Sequence, residues 1–424
     1  MRYTFTTYNL GCKVNAYELS AISSLLIAKG YEEDANNPDV VIVNTCSVTA
    51  TADQKSRQHI RKMQKLFPNA VIAVMGCYSQ GNYEFIKDEI KPTILLGTSH
   101  RKDVVNLIEK ALKEKETYCL IDENTRNFEY EELGITSYSE NVRAFLKIQD
   151  GCNNFCTYCI VPYRRGKMRS RSKENVLKEA EYLVKQGYQE IVLSGIHVGG
   201  YGQDLKDCSF SSLVEELTNI RGLKSLRISS IEESEIDDKL IELIKDKDNL
   251  AKHLHIPLQA GSNHVLKMMN RKYTREQFVE KIKRIKTAMP DVMISGDVIV
   301  GFPQESEEDF LDTYKLCEEC FDMLHVFPYS MRPGTAAARM DGQISPDVKK
   351  QRSKVLLELS DKLYIKFANK FIGQDVTVLV EKYDEEKGIN IGHTSNYLSV
   401  EIPLKESKVG QFITVKLQKD MIVS

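Results

Sequence analysis

The chain has 424 residues, 42% hydrophobic and 28% charged, with a formal net charge of -2. That length exceeds one ordinary domain, and the composition supports packed cores while excluding a polycation, so any nucleic-acid contact must come from local basic patches. No apolar run reaches signal-peptide or membrane-spanning length, which predicts a cytoplasmic protein, free of the membrane, with reduced cysteines.

Residues 1–115 alternate strand and helix and form a first domain. Apolar runs predict strands at 3–10, 40–44, 71–75 and 94–96. Helices are predicted at 17–29, 49–66, 82–90 and 102–114, the first from Leu19, Ile22, Leu25 and Leu26 at helical spacing. This pattern implies an α/β fold with a parallel, flavodoxin-like sheet covered on both faces. Cys12, Cys46 and Cys77 each stand just past one of the first three strands. Open α/β sheets gather their functional groups along that edge. Three cysteines there read as metal-cluster ligands rather than as small half-buried thiols. Residues 116–140, with acidic 129–132, read as a linker with few internal contacts.

A second domain, 141–370, opens with a strand at 142–149. It delivers the chain into Gly151-Cys152-Asn153-Asn154-Phe155-Cys156-Thr157-Tyr158-Cys159. Chance produces a C-x3-C-x2-C spacing in about half a per cent of chains with this cysteine content. Three soft thiolates on one tight loop suit a [4Fe–4S] cluster with one iron left open, ahead of a partial zinc site. Strands at 190–194, 225–228, 253–256, 293–300 and 323–327 alternate with helices at 174–186, 211–219, 236–246, 263–269, 275–288 and 306–319. Six such repeats imply an open (β/α)6 barrel with its active-site groups at the carboxyl ends of the strands. Arg227, Ser229, Ser230, Glu232 and Gln259 follow two of those ends. The run 163–173 carries six positive charges and no acid. Beside a reactive loop, Arg164, Arg165, Lys167, Arg169 and Arg171 are expected to contact RNA phosphates. Helix 49–66 adds Lys55, Arg57, Arg61, Lys62 and Lys65, as an RNA face or a solvated one. His197 reads as a hydrogen-bonded structural residue, and Cys119, Cys208, Cys317 and Cys320 as packing residues.

A long amphipathic helix at 347–369 leads to a third unit, 371–424. Strands at 376–380, 389–393, 398–401 and 412–417 there predict a small antiparallel, OB-like β-barrel.

These motifs together resemble the methylthiotransferase family of radical S-adenosylmethionine enzymes. The resemblance rests on Gly11-Cys12-Lys13-Val14-Asn15, Asn44-Thr45-Cys46-Ser47-Val48-Thr49, Gly76-Cys77, the Cys152–Cys159 loop, His255-Ile256-Pro257-Leu258-Gln259, Gly301-Phe302-Pro303 and Phe327-Pro328-Tyr329-Ser330. The terminal unit looks like the family's TRAM domain, an RNA-binding β-barrel. Gly11-Cys12-Lys13-Val14-Asn15 looks most like the branch that methylthiolates N6-threonylcarbamoyladenosine in tRNA. Ala16 and Gln304 depart from the family pattern, which has a polar residue and a glycine there.

The resemblance implies two [4Fe–4S] clusters, on Cys152, Cys156 and Cys159 and on Cys12, Cys46 and Cys77. The first would bind S-adenosylmethionine and cleave it to a 5′-deoxyadenosyl radical, acting on C2 of the adenine. The second would hold the sulfur. Arg227, Ser229, Ser230 and Gln259 are expected to hold S-adenosylmethionine. The expected partners are the tRNA anticodon stem-loop, an electron donor and a sulfur donor. Alternatives are methylthiolation of isopentenyladenosine or of a ribosomal-protein aspartate, and a non-catalytic iron–sulfur RNA-binding module.

Overall fold

The computed structural model describes residues 2–134 and 142–423. Its amino-terminal layer is a parallel sheet of β1 (Thr4–Asn9), β2 (Glu32–Glu33), β3 (Val40–Thr45), β4 (Val71–Gly76), β5 (Ile94–Leu96) and β6 (Tyr118–Leu120), in the order β2-β1-β3-β4-β5-β6. Successive side chains of a strand point to opposite faces. Val40, Ile42, Ala73 and Met75 therefore pack with Leu19, Ile22 and Leu26 of α1 (Lys13–Ala28) and Val104 and Ile108 of α3 (Val104–Glu114). Val41, Val43, Ile72 and Val74 pack with Ile60 and Met63 of α2 (Ala50–Leu66). Burial on both faces is why these strands read as unbroken apolar runs.

β6 corrects the expectation of a bare linker. Tyr118, Cys119 and Leu120 add in register to β5, and Glu131 and Glu132 form ion pairs with Arg101 and Arg171. Cys119 is exposed on this edge strand, so it is not a packing residue; Cys317 and Cys320 are buried as expected. Residues 135–140 of the expected linker lie outside the described residues.

The central unit contains β7 (Arg143–Lys147), β8 (Glu190–Ser194), β9 (Ser225–Ile228), β10 (His253–His255), β11 (Met293–Val300) and β12 (Met323–Pro328). They form two parallel sheets, β9-β8-β7 and β10-β11-β12. The sheets meet where Leu226 N donates to Asn249 O (2.7 Å) and Ala251 N to Leu226 O (2.9 Å). Among the described residues β7 and β12 have no outer strand partner, so the six-stranded barrel is open on that side. Leu146, Ile191, Leu193, Leu226, Leu254 and Ile294 join the surrounding apolar core. By the same alternation Arg143, Glu190, Arg227, His253, Ser295 and Asp297 face the lumen.

α4 (Pro346–Ala368) leads to β13 (Asp375–Asp384), β14 (Ile389–Thr394), β15 (Ser399–Ile402) and β16 (Phe412–Lys416), an antiparallel sheet in the order β15-β14-β13-β16. Its core, with Val378, Val380, Leu398 and Val400, is shared with Phe367 of α4 and Met293 of β11. The turn before β15 reaches under the barrel. Tyr397 there adopts φ +68°, held by its N–H to Thr394 O (3.0 Å) and by ring stacking on His253 and His393, each at 4.6 Å. A left-handed tyrosine is costly, and it persists here because its surroundings over-determine it. Gln304, at the position where the family pattern has glycine, also has a left-handed φ of +64° and is held by its N–H to Gly342 O (2.8 Å).

Candidate active site

Three successive loops bring Cys12, Cys46 and Cys77 to one edge of the sheet. Cys12 is the N-cap of α1, Cys46 follows β3, and Cys77 starts a helical turn after β4. Polar side chains lace these loops together. Asn15 Nδ2 donates to Asn44 Oδ1 (2.6 Å) and Thr45 O (3.2 Å), and Thr45 Oγ1 donates to Met75 O (2.7 Å). Gly76 has φ +109°, and a Cβ there would stand 2.4 Å from Asn44 Oδ1 and Thr45 O. Only glycine lets the chain turn there into Cys77. The thiols perturb one another. Burial first, then Cys77 and Cys12, push the Cys46 thiol up to about 11. Burial raises Cys77 as well, against the nearby Arg165 guanidinium. Such thiols become thiolates when a metal compensates the charge.

The second cysteine loop sits at the carboxyl end of β7. Thr157 N and Oγ1 donate to Met269 O (3.0 Å) and Met268 O (2.8 Å), and Asn270 Nδ2 donates to Phe155 O (3.1 Å). Arg271 Nη1 donates to Cys156 Sγ at 3.6 Å, and Asn154 N to Cys152 Sγ at 3.5 Å. Burial pushes the Cys159 thiol up to about 12. Burial works against a charged His197, but Cys152 and Glu235 beside it outweigh that and push it up to about 10. Its Nε2 lies 2.6 Å from Glu235 Oε1. His197 is thus hydrogen-bonded as expected, and it is also a neighbour of a cysteine on the loop. Each set offers three soft thiols with a cation bonded to one of them, Arg165 at Cys77 and Arg271 at Cys156, and such a donor set fits an iron–sulfur cluster.

Between the two sets lies a cavity of about 260 Å³. Tyr158 and Cys159 form one wall and Val48 and Thr49, close to Cys46, another; Gln259, Asp297, Phe327 and Ser330 are among the rest of its lining. Below, His255 Nε2 and His325 Nδ1 approach Asp297 Oδ1 at 3.2 and 3.4 Å, and Ser295 Oγ holds His255 Nδ1 at 3.0 Å. Burial opposes charge on Asp297, yet its bonds to the two imidazoles hold the carboxyl well below the usual range. The residue-by-residue reading missed Asp297 and His325. The available signal was polar Ser295 and Asp297 two apart in an otherwise apolar strand.

Of the residues expected to hold S-adenosylmethionine, Gln259 lines the cavity. Arg227 calls for correction, and Ser229 and Ser230 stand away from that cavity. Arg227 sits at the lumen floor, where Nη2 donates to Glu190 Oε2 and Thr394 O (both 3.2 Å) and Nη1 to Ser395 O (3.2 Å). It joins the barrel to the terminal sheet. Ser229 is buried, its N–H bonded to Leu193 O, and Ser230 is exposed; neither lines the cavity.

The basic run is likewise corrected. Arg165, Arg169 and Arg171 are buried. Arg165 donates to Cys77 Sγ (3.2 Å), Glu18 Oε1 (2.8 Å) and Asp150 Oδ1 (3.1 Å). Arg169 pairs with Asp150, and Arg171 with Glu132 and Glu179. Arg164 lies half-buried against Gly81, and only Lys167 of the five is exposed. Glu18 and Asp150 also receive Arg101 and Lys147, making a network that ties sheet to barrel beneath Cys77. Burial opposes the Glu18 carboxylate, but Arg101, Arg165 and Lys147 hold its pKa well below the usual range. Its stabilising contribution is therefore full above the ordinary value of 4.5 and lost as pH falls into the depressed range. Glu18→Gln is expected to cost about 3–5 kcal/mol, read as a lower denaturation midpoint in urea near neutral pH, with the deficit shrinking in acid.

Three family models match the chain: the Radical SAM superfamily over residues 146–317, Uncharacterized protein family UPF0004 over 3–97 and the TRAM domain over 369–421. The chain is 44% identical over 423 residues to the Bacillus subtilis (strain 168) threonylcarbamoyladenosine tRNA methylthiotransferase MtaB, covering 98% of this chain and 94% of that protein. It is 38% identical over 428 residues to the tRNA-2-methylthio-N(6)-dimethylallyladenosine synthase of Thermoanaerobacter pseudethanolicus, covering 98% and 90%. In fold it is similar to the radical S-adenosylmethionine methyltransferase TsrM from Kitasatospora setae, with TM-score 0.58 and 13% identity, covering 80% of this chain and 77% of that one. With relatives this similar over nearly its full length, the chain belongs to the radical S-adenosylmethionine methylthiotransferase family, in the branch of the MtaB proteins.

Proposed function

We propose that the protein methylthiolates C2 of N6-threonylcarbamoyladenosine at tRNA position 37, beside the anticodon, using one [4Fe–4S] cluster on Cys152, Cys156 and Cys159 and a second on Cys12, Cys46 and Cys77. As a radical S-adenosylmethionine enzyme it uses an iron–sulfur cluster and S-adenosylmethionine, which together supply one-electron cleavage to a carbon radical. The observation that carries the reading is the cavity with Cys159 in one wall and the peptide after Cys46 in the other. Its walls are largely apolar, and Gln259 and Asp297 offer polar contacts to what they hold.

Lys13 favours the threonylcarbamoyl substrate over isopentenyladenosine. It follows Cys12 and stands within electrostatic reach of Arg227, Arg143 and Glu190 in the lumen. Among the described residues it has no hydrogen-bond or ion-pair partner of its own. The threonyl carboxylate supplies an anion for it; an isopentenyl group does not. For the tRNA backbone, the exposed Lys55, Arg61, Lys62 and Lys65 of α2 are better placed than the buried arginines of 163–173. An electron donor and a sulfur donor complete the reaction. Among the described residues no helix is long and apolar enough to cross a membrane.

Mass analysis of tRNA nucleosides from cells lacking the gene tests the assignment. The expected result is loss of the methylthio form of threonylcarbamoyladenosine with accumulation of its precursor. Unchanged levels of that form refute the assignment; loss confined to methylthio-isopentenyladenosine moves the protein to that substrate.

A further inference from the structure

The two cysteine sets belong to different layers of the fold, and one loop grips both. Segment 330–339 follows β12. At its start the Ser330 hydroxyl accepts from Ala50 N (3.1 Å), and Arg332 Nη2 donates to Ser47 Oγ (2.8 Å) and Asp53 Oδ2 (2.7 Å). Ser47 adjoins Cys46, and Ala50 and Asp53 lie in the first turn of α2, so three bonds pin the peptide that carries Cys46. At the far end Ala337 N donates to Thr157 O (2.9 Å), between Cys156 and Cys159. The middle is stiffened by Thr335, whose N and Oγ1 both bond the Arg332 carbonyl, at 3.1 and 2.8 Å. Arg332 is 4% exposed, and its pair with Asp53 is shielded from water.

We propose that segment 330–339 sets the separation of the two cysteine sites and that Arg332 is its positioning residue, coupling radical formation at one site to methylthio transfer at the other. The inference rests on the two-site reading above. Arg332 bonds none of the six cysteine thiols and does not line the cavity. It acts through Ser47 and Asp53 on where Cys46 stands. A displacement of about 1 Å between reacting groups costs about 10²-fold in rate. S-adenosylmethionine cleavage needs only the Cys152–Cys159 site, so loss of the strap falls on the transfer step.

The test uses the full chain, reconstituted with iron and sulfide and supplied with S-adenosylmethionine, reductant and tRNA. In Arg332→Met, iron content and 5′-deoxyadenosine formation are expected to stay within about twofold of wild type, while methylthiolated nucleoside falls about 10²-fold. The ratio of 5′-deoxyadenosine to product then rises by a similar factor. Amide hydrogen exchange of 46–53 in the metal-free full chain is expected to speed up. Arg332→Lys, which keeps a cation beside Asp53, restores part of the coupling. Asp53→Asn reproduces the defect from the opposite side, and the double variant is no worse than either single one. If Arg332→Met fails to fold, Asp53→Asn and Arg332→Lys decide by the same ratio. Equal loss of both products, a wild-type ratio or unchanged exchange over 46–53 overturns the inference alone. A wild-type chain that makes 5′-deoxyadenosine but transfers no methylthio group overturns the reading beneath it.

Discussion

Cys156→Ala is expected to abolish 5′-deoxyadenosine formation and to remove about four irons per chain, leaving the other site loaded. On the proposed ligation the loop needs all three thiolates, and two remaining ligands do not hold a cluster. The backbone should survive the change. Cys159 N bonds the Cys156 carbonyl at 2.9 Å, and Thr157 and Asn270 anchor the loop to 268–270 independently of the thiol. Loss of function then reports on ligation and not on a collapsed loop. The measurements are iron content and chromatographic detection of 5′-deoxyadenosine. Continued cleavage of S-adenosylmethionine by this variant would falsify the assignment of Cys156.

Cys46→Ala separates the two sites from the other side. Iron is expected to fall by about four per chain and methylthio transfer to stop, while reductive cleavage continues without it. The peptide at Cys46 is held by Ser56, whose hydroxyl accepts from Cys46 N (3.4 Å) and donates to Cys46 O (3.2 Å), so alanine leaves the loop in place. Iron content equal to wild type would strike Cys46 from the ligand set. Together the two alanine variants give opposite patterns, one without radical chemistry and one with radical chemistry but no sulfur transfer.

The parts of this site that sequence makes legible are those with local spacing or a repeating place in the fold. Cys152, Cys156 and Cys159 lie within eight residues, and Cys12, Cys46 and Cys77 recur at strand ends, where βα units put their functional groups. Charge is harder to read because its partners are remote. Arg165 looked exposed in a run without acids, but it is buried against Asp150, 15 residues before it, and Glu18, 147 residues away. Arg227 looked like a ligand-binding residue at a strand end, and its partners are Glu190 and carbonyls from the terminal sheet. Burial of an arginine depends on whether a distant acid arrives, and no local pattern encodes that. Asp297 and His325 were missed for a related reason. In a barrel strand, lumen-facing polar groups are spaced like solvent-facing ones, and only closure of the barrel tells the two apart.

The turn at Tyr397 gives the terminal sheet a second consequence. Its ring lies against His253, and the Arg143 and Arg227 guanidiniums stand over it. The TRAM domain is therefore also a piece of the barrel's masonry. A truncation meant only to weaken tRNA affinity would leave two arginines and a histidine facing water through a hole in the floor. Point changes on the outer strands of that sheet, with Tyr397 left in place, spare the barrel.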